Sequence, residues 1–183
     1  MTHNTLEFDA MPALGTIRQI AYVVDDMQQA LDYWLDVMKA GPFYLFEHAK
    51  MDSQVYRGGA SNVDVSLAVG NTGDVQIELI YCENDEPSVY REFLDAKRVG
   101  VHHVGLMPEN YAQTYGRYVA LGFEPAFECN IGGTNLVYFD TVQKLGHFTE
   151  LWDNSEAFKN FLTMVKAAAQ NWNGDDPIRT GAL

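Results

Sequence analysis

Residues Val101–Met107, VHHVGLM, form an apolar stretch near the middle of the chain, directly before a predicted helix. Residues Ile17–Val23, IRQIAYV, have the same character. Aligning the two stretches places His103 over Gln19, so each stretch has a metal-capable polar side chain at the same position of an apolar strand. The chain therefore restarts its own pattern, which predicts two copies of one folding unit.

The segments that follow these two stretches repeat in the same order. The first half has a strand at 16–24, a helix that Gly41-Pro42 ends, and strands at 43–48, 62–69 and 75–82. The second half has a strand at 102–107, a helix at 108–121, and strands at 125–130, 134–140 and 147–152. Each half is thus predicted to be a βαβββ module, and the fold class to be α+β. Residues 50–60 are predicted to be a loop that could cover a site.

The repeat divides the chain into six segments. They are a leader (1–15), a first module (16–82), a linker (83–100) with a short helix at 89–96, a second module (101–153), a C-terminal helix (154–170) and an unstructured tail (171–183). A chain of 183 residues buries about 70% of its unfolded surface on folding, which is enough for a substantial core.

Composition narrows the classes of partner. The formal net charge of −13, with no Lys/Arg cluster, disfavours nucleic acid and anionic membranes and favours an uncharged or apolar small molecule. No apolar run approaches the roughly 20 residues of a membrane helix. Cys82 and Cys129 have no metal-site spacing. The N-terminus lacks a secretory pattern, so we expect a cytoplasmic protein.

Two carboxylates occupy equivalent apolar strands at the ends of the modules. Glu78 lies within Gln76–Ile80, QIELI, and Glu150 within Phe148–Trp152, FTELW. A buried, unpaired carboxylate is costly, so a cation between the two is the economical explanation. The four residues that would surround it are Gln19, Glu78, His103 and Glu150.

This donor set has one imidazole nitrogen and three oxygens. It suits one divalent ion, and Zn²⁺, Ni²⁺, Co²⁺, Mn²⁺ and Mg²⁺ all remain open. Strand alternation predicts six apolar residues on the same face as candidates for a substrate pocket: Ala21, Val23, Ile80, Met107, Phe148 and Trp152. His102 falls on the opposite face and is predicted to be structural.

These residues resemble those of the vicinal oxygen chelate superfamily, which contains glyoxalase I, methylmalonyl-CoA epimerase and extradiol dioxygenases. The resemblance covers about Thr16 to Trp152. It implies the glyoxalase/bleomycin resistance/dioxygenase-like fold, in which paired βαβββ modules form a curved mixed sheet around a metal, with ligands from the first and last strands of each module. The Gln/Glu/His/Glu set is similar to that of eukaryotic-type glyoxalase I, whereas residues 40–48, AGPFYLFEH, resemble the epimerase-like branch. The family also implies a homodimer, in which a site can be intrachain or shared between chains.

The resemblance implies a reaction as well. Two carboxylates at one metal favour proton transfer at a carbon adjacent to a carbonyl, through a metal-stabilised enolate, as in an isomerase or epimerase. By resemblance Glu150 is the principal base, and Glu78 assists. A glyoxalase I-like lyase is the nearest alternative. An extradiol dioxygenase needs a second histidine where Gln19 stands, and a non-catalytic, drug-sequestering protein would not require two buried glutamates.

Overall fold

The structure, a computed structural model, describes residues 16–181, so the predicted leader lies outside the described residues. The first module opens with strand β1 (Ile17–Val24) and helix α1 (Met27–Asp32), which the carboxylate of Asp26 caps. A π-helical turn, Tyr33–Val37, continues α1. The remaining strands of this module are β2 (Phe43–Phe46), β3 (Asp52–Tyr56), β4 (Gly59–Ala60), β5 (Val65–Thr72) and β6 (Val75–Cys82).

The second module follows a linker that contains helix α2 (Val89–Asp95), close to its predicted bounds. Its elements are β7 (His103–Leu106), α3 (Tyr111–Ala120), β8 (Pro125–Ile131), β9 (Thr134–Phe139), α4 (Val142–Leu145) and β10 (Phe148–Trp152). Helix α5 (Glu156–Ala169) and strand β11 (Ile178–Thr180) complete the described chain.

The described strands join into one mixed, curved sheet of eleven strands, in the order β11-β2-β5-β6-β1-β7-β10-β9-β8-β3-β4. Helices α1 and α3 cover its outer face, where Leu31 packs near Ile77 and Tyr118 near Phe139. The largest core cluster lies on the inner face, under α5. The predicted α+β fold of two βαβββ modules with a C-terminal helix is confirmed.

The two modules meet along their first strands. β1 and β7 run antiparallel, with Ala21 opposite His103. Each first strand also pairs in parallel with the last strand of its own module, so that Ala21 lies opposite Glu78 and Gly105 opposite Glu150. The equivalent positions of the modules are therefore Gln19 and His103, Ala21 and Gly105, and Glu78 and Glu150.

The segment predicted as a loop at 50–60 instead forms an arm of two strands. β3 and β4 pair with each other, and β3 also pairs with β8 of the second module. Arg57, at the tip of this arm, places Nη2 2.9 Å from Oε1 of Glu92 and 2.9 Å from Oδ2 of Asp140. The arm therefore ties the first module to the far edge of the second.

The prediction of an unstructured tail is wrong for Ile178–Thr180. These residues form β11, which pairs in parallel with β2, with Ile178 opposite Phe43. Asn-, Gly- and Asp-rich sequence precedes the strand, and that composition masked a short segment whose partner lies far away in the sequence.

Candidate functional site

The four predicted metal ligands converge on the inner face of the sheet. They lie on four adjacent strands, β6, β1, β7 and β10. All four side chains are buried, with exposed fractions of 3% for Gln19, 8% for Glu78, 0% for His103 and 2% for Glu150. The structure therefore brings together residues that span 131 positions of the sequence, from 19 to 150.

Three side-chain oxygens surround a single nitrogen, Nε2 of His103. Oε1 of Gln19 lies 3.0 Å from this nitrogen. Oε2 of Glu150 lies 3.1 Å away and Oε2 of Glu78 3.4 Å away. Nε2 carries at most one hydrogen, so it cannot satisfy three acceptors. Oε2 of Glu150 is buried, and no donor within the described residues is aligned to form a hydrogen bond with it.

These separations match the donor spacing around a divalent ion. Bonds about 2.1 Å long place neighbouring ligands roughly 3.0 Å apart in octahedral geometry and roughly 3.4 Å apart in tetrahedral geometry. Among residues 16–181, no three His, Cys, Asp or Glu side chains form a ready-made metal site. An ion held here would need the amide oxygen of Gln19 as a further donor and Nε2 of His103 without its proton.

The charges at this centre depend on one another. Burial opposes protonation of His103, but the carboxylates of Glu150 and Glu78 outweigh burial and raise its pKa to about 9. Burial raises the pKa of Glu78, and His103 opposes that rise. A positive charge at Nε2, from a proton or an ion, is thus what stabilises the two carboxylates here.

Gln76 orients Gln19. The two residues are paired in register across β1 and β6, and Nε2 of Gln19 donates to Oε1 of Gln76 over 2.8 Å. This bond turns Oε1 of Gln19 towards His103. Nε2 of Gln76 is itself buried and finds no acceptor among residues 16–181. The sequence held a signal for Gln76, since it lies two residues before Glu78 and so on the same face.

His102 contacts the site, although its predicted role was structural. Its Nδ1 lies 3.0 Å from Nδ1 of His103, and its Nε2 lies 3.2 Å from the carbonyl oxygen of Val89. Rings of Tyr90 and Phe93 pack against it. Burial, together with His103, lowers the pKa of His102 well below its ordinary value. His102 is thus buried among aromatic rings and also contacts a candidate ligand. Its ring lies against Tyr138 and Phe148 of the inner-face cluster, so the prediction that it falls on the opposite face is wrong, because His102 precedes β7 and does not follow the alternation of that strand.

A cavity of about 50 Å³ adjoins the four ligands, with room for several water-sized groups. Helix α5 roofs it. Phe158 packs edge-on against Trp152, with ring centroids 4.9 Å apart, and Phe161 packs against Phe46 at 5.8 Å. A more open pocket of about 330 Å³ lies next to the cavity, and Gln76 lines both.

Of the six apolar residues predicted for the pocket, Trp152 lines the cavity. Met107 lines the adjoining pocket. The other four do not line the cavity and lie in or against the core cluster of the inner face: Ala21, Val23, Ile80 and Phe148. Alternation along a strand predicts the face of the sheet on which a residue lies, but not whether the residue reaches the cavity.

Two other histidines lie apart from this centre. Nδ1 of His48 is 2.7 Å from Oδ2 of Asp64. Nδ1 of His147 is 2.8 Å from the carbonyl oxygen of Phe148. No helix within residues 16–181 has the length and apolar character needed to span a membrane.

Comparison with solved structures identifies related folds. A methylmalonyl-CoA epimerase from Mycobacterium tuberculosis superposes with a TM-score of 0.54 at 14% identity, covering 82% of this chain and 97% of that one. A hypothetical protein from Bacillus halodurans C-125 gives a TM-score of 0.53 at 16% identity, covering 77% and 95%. A Streptomyces coelicolor methylmalonyl-CoA epimerase, in complex with 2-nitronate-propionyl-CoA, gives 0.50 at 16%, covering 79% and 97%.

Comparison with curated protein sequences finds no match. A family model, however, matches residues 18–139, which is more than half of the chain and includes three of the four converging residues. The chain belongs to the Glyoxalase/Bleomycin resistance protein/Dioxygenase superfamily.

Proposed function

We propose that the protein is a metal-dependent enzyme that transfers a proton at a carbon adjacent to a carbonyl, as an isomerase or epimerase. The observation that carries this proposal is the convergence of Glu78 and Glu150 on Nε2 of His103 beside an apolar cavity. Two buried carboxylates at one imidazole are costly to fold and serve no packing purpose. Acid–base chemistry would give these two carboxylates a function.

Gln19, Glu78, His103 and Glu150 would hold one divalent ion. The oxygen-rich set suits Zn²⁺, Ni²⁺, Co²⁺, Mn²⁺ or Mg²⁺. When bound, such an ion polarises a carbonyl oxygen and stabilises the negative charge that develops as the adjacent C–H bond loses its proton.

Glu150 is the proposed base. Its Oε2 is buried 3.1 Å from Nε2 of His103 and accepts no aligned hydrogen bond from residues 16–181, so this oxygen is the proposed acceptor of the substrate proton. Glu78 is proposed to assist, because burial raises its pKa and favours a carboxyl group that holds and returns a proton. Carboxylates from two modules provide two proton-transfer groups, which an epimerisation by two bases requires and an isomerisation can use.

The substrate proposed for the cavity is an uncharged or apolar carbonyl compound. The cavity lining contains aromatic and aliphatic side chains, and no Lys or Arg of the described part of the chain contributes to it. Methylmalonyl-CoA, named for the epimerases of similar fold, carries several charges, so we propose a shared reaction class and not a shared substrate. A charged end of a longer substrate would have to lie in the adjoining pocket, beside Arg18, Lys159 and Lys166.

A glyoxalase I-like lyase is the second candidate, favoured by the Gln/Glu/His/Glu donor set. It would begin with the same proton abstraction but act on a thiol adduct of an aldehyde. Product analysis separates the two, because only the lyase needs the thiol. A homodimer and a cytoplasmic location remain predictions.

The test combines metal analysis with a screen for solvent-deuterium exchange into carbonyl compounds, with and without added Ni²⁺ or Zn²⁺. We expect one divalent ion per chain and exchange that Glu150→Gln lowers by about 100-fold or more. Glu124→Gln, at an exposed position, is the matched control and should leave exchange unchanged. Retained exchange in Glu150→Gln would remove its assignment as base. A stable protein that binds carbonyl compounds but no metal would instead support a sequestering protein.

A further inference from the structure

Two buried imidazoles lie side by side at the candidate metal centre. Nδ1 of His102 and Nδ1 of His103 are 3.0 Å apart, and neither side chain is exposed. Two ring nitrogens at this distance share one hydrogen, so one ring donates and the other accepts. The direction of this bond decides whether Nε2 of His103, which faces the carboxylates, can carry a lone pair when the ring is neutral.

The backbone fixes the direction. Nε2 of His102 lies 3.2 Å from the carbonyl oxygen of Val89, at the start of α2. A carbonyl oxygen only accepts, so Nε2 of His102 must carry a hydrogen. The ring lies among Tyr90, Phe93 and Phe148, and no carboxylate of residues 16–181 pairs with it, so a second hydrogen and a positive charge are unfavourable there. Nδ1 of His102 is therefore the acceptor.

The hydrogen between the two rings then belongs to Nδ1 of His103. This leaves Nε2 as the nitrogen of His103 that can lose its proton, and Nε2 is the atom that faces Gln19, Glu78 and Glu150. The opposite tautomer would place a lone pair of His102 against the lone pairs of the Val89 carbonyl. The chain of contacts admits one arrangement.

We propose that His102 is a positioning residue. It donates a hydrogen bond from Nε2 to the Val89 carbonyl and accepts one at Nδ1 from His103, which holds His103 in the tautomer that can bind a metal through Nε2. Its consequence for metal binding rests on the function proposed above, whereas the hydrogen positions do not. Ligating histidines commonly donate their second N–H to a fixed acceptor, and the acceptor proposed here is a second histidine, itself fixed by α2.

The first experiment reads the hydrogens directly. In metal-free protein labelled with ¹⁵N, imidazole nitrogen shifts and long-range ¹H–¹⁵N couplings distinguish protonated from unprotonated ring nitrogens. We expect His102 with hydrogen on Nε2 only, and His103 with hydrogen on Nδ1. Hydrogen on Nδ1 of His102 would overturn the proposal, whatever the protein catalyses.

The second experiment removes the acceptor. His102→Phe keeps a ring of similar size but no acceptor, and should weaken Zn²⁺ or Ni²⁺ binding by about 10- to 100-fold in a chelator competition titration. His102→Asn, whose amide oxygen can take the place of Nδ1, should recover part of that loss. His147→Phe, at a half-buried histidine whose Nδ1 lies 2.8 Å from the carbonyl oxygen of Phe148, is the control and should bind as the wild type does.

The outcomes of the two proposals are separable. Equal metal affinity in the wild type and in His102→Phe overturns the positioning role. A wild-type protein that binds no metal contradicts the proposed function, while the nitrogen spectra still decide the tautomers. If His102→Phe fails to fold, the positioning role is tested by the wild-type spectra and by the metal affinity of His102→Asn. An affinity for His102→Asn below that of a folded His102→Leu would count against the proposal.

Discussion

The two modules present equivalent ligand candidates but support them differently. In the second module, His103 is backed by His102 and the Val89 carbonyl, inside a cluster of aromatic rings. In the first, Gln19 donates its amide hydrogen to Oε1 of Gln76. The repeat has kept the register of the strands and the positions of the ligands, whereas the residues behind the ligands have diverged.

The divergence follows the surroundings of each module. Arg18 stands at the position equivalent to His102, and it is exposed beside the adjoining pocket. Phe148 stands at the position equivalent to Gln76 and is completely buried. The second module therefore encloses its ligand in apolar packing, while the first borders an opening. Metal binding is therefore expected to depend more on His103 than on Gln19.

Removing the ligand candidate on the first strand of each module should show the difference between the modules most clearly. We expect His103→Ala to weaken binding of a divalent ion by about 1,000-fold, because it removes the imidazole and leaves two carboxylates without their partner. Gln19→Ala removes a neutral amide oxygen that water can replace, so a loss of about 10-fold is expected. Chelator competition measures both, and equal losses would show that the modules contribute alike.

The charge at His103 predicts a dependence of stability on pH. Its pKa of about 9 in the folded, metal-free chain lies above the unfolded value of 6.5. The protonated ring therefore stabilises the fold fully below pH 6.5, and this contribution is lost as the pH rises through 9. The shift corresponds to about 3 kcal/mol of unfolding free energy at most.

Urea unfolding between pH 6.5 and 9.5 measures this loss. Saturating Zn²⁺ should reduce it, since a bound ion replaces the proton between the carboxylates. In His103→Gln the loss should be absent. A wild-type stability that is flat across this range would contradict the charge assigned to the imidazole.

The sequence was sufficient to predict the four converging residues, because alternation in strands and a repeat are local patterns. Glu78 and Glu150 stand out as charges within apolar strands, and His103 aligns with Gln19. The supporting contacts depend on the register between distant strands and on the placement of α2, which periodicity does not encode. His102 illustrates this, since it precedes β7 and its ring packs against a helix of the linker.

The same distinction explains the segments that were predicted incorrectly or incompletely. The arm formed by β3 and β4 pairs with the other module, and β11 pairs with β2 from more than 130 residues away. Short strands of this kind are stabilised by their partners and not by their own composition. The position of α5 over the cavity was likewise not predicted. The apolar side of this helix was visible in the sequence, and it includes Phe158 and Phe161.

The smallest expected effect concerns a pair of equivalent positions beside the ligands. Ala21 and Gly105 correspond in the repeat, yet a Cβ added at Gly105 would overlap the Trp152 indole and lie 3.1 Å from Cβ of Gln19. Gly105 is therefore required by space and not by its backbone angles.

We expect Gly105→Ala to lower the free energy of unfolding by about 1–3 kcal/mol, because Trp152 must move in a closely packed core. Ala21→Gly, which removes a methyl group without forcing any movement, should cost about 1 kcal/mol through backbone entropy and a small void. Urea titration of both variants tests the comparison. If Gly105→Ala is as stable as the wild type, Trp152 has space to move, and the second module is less tightly enclosed than its burial indicates.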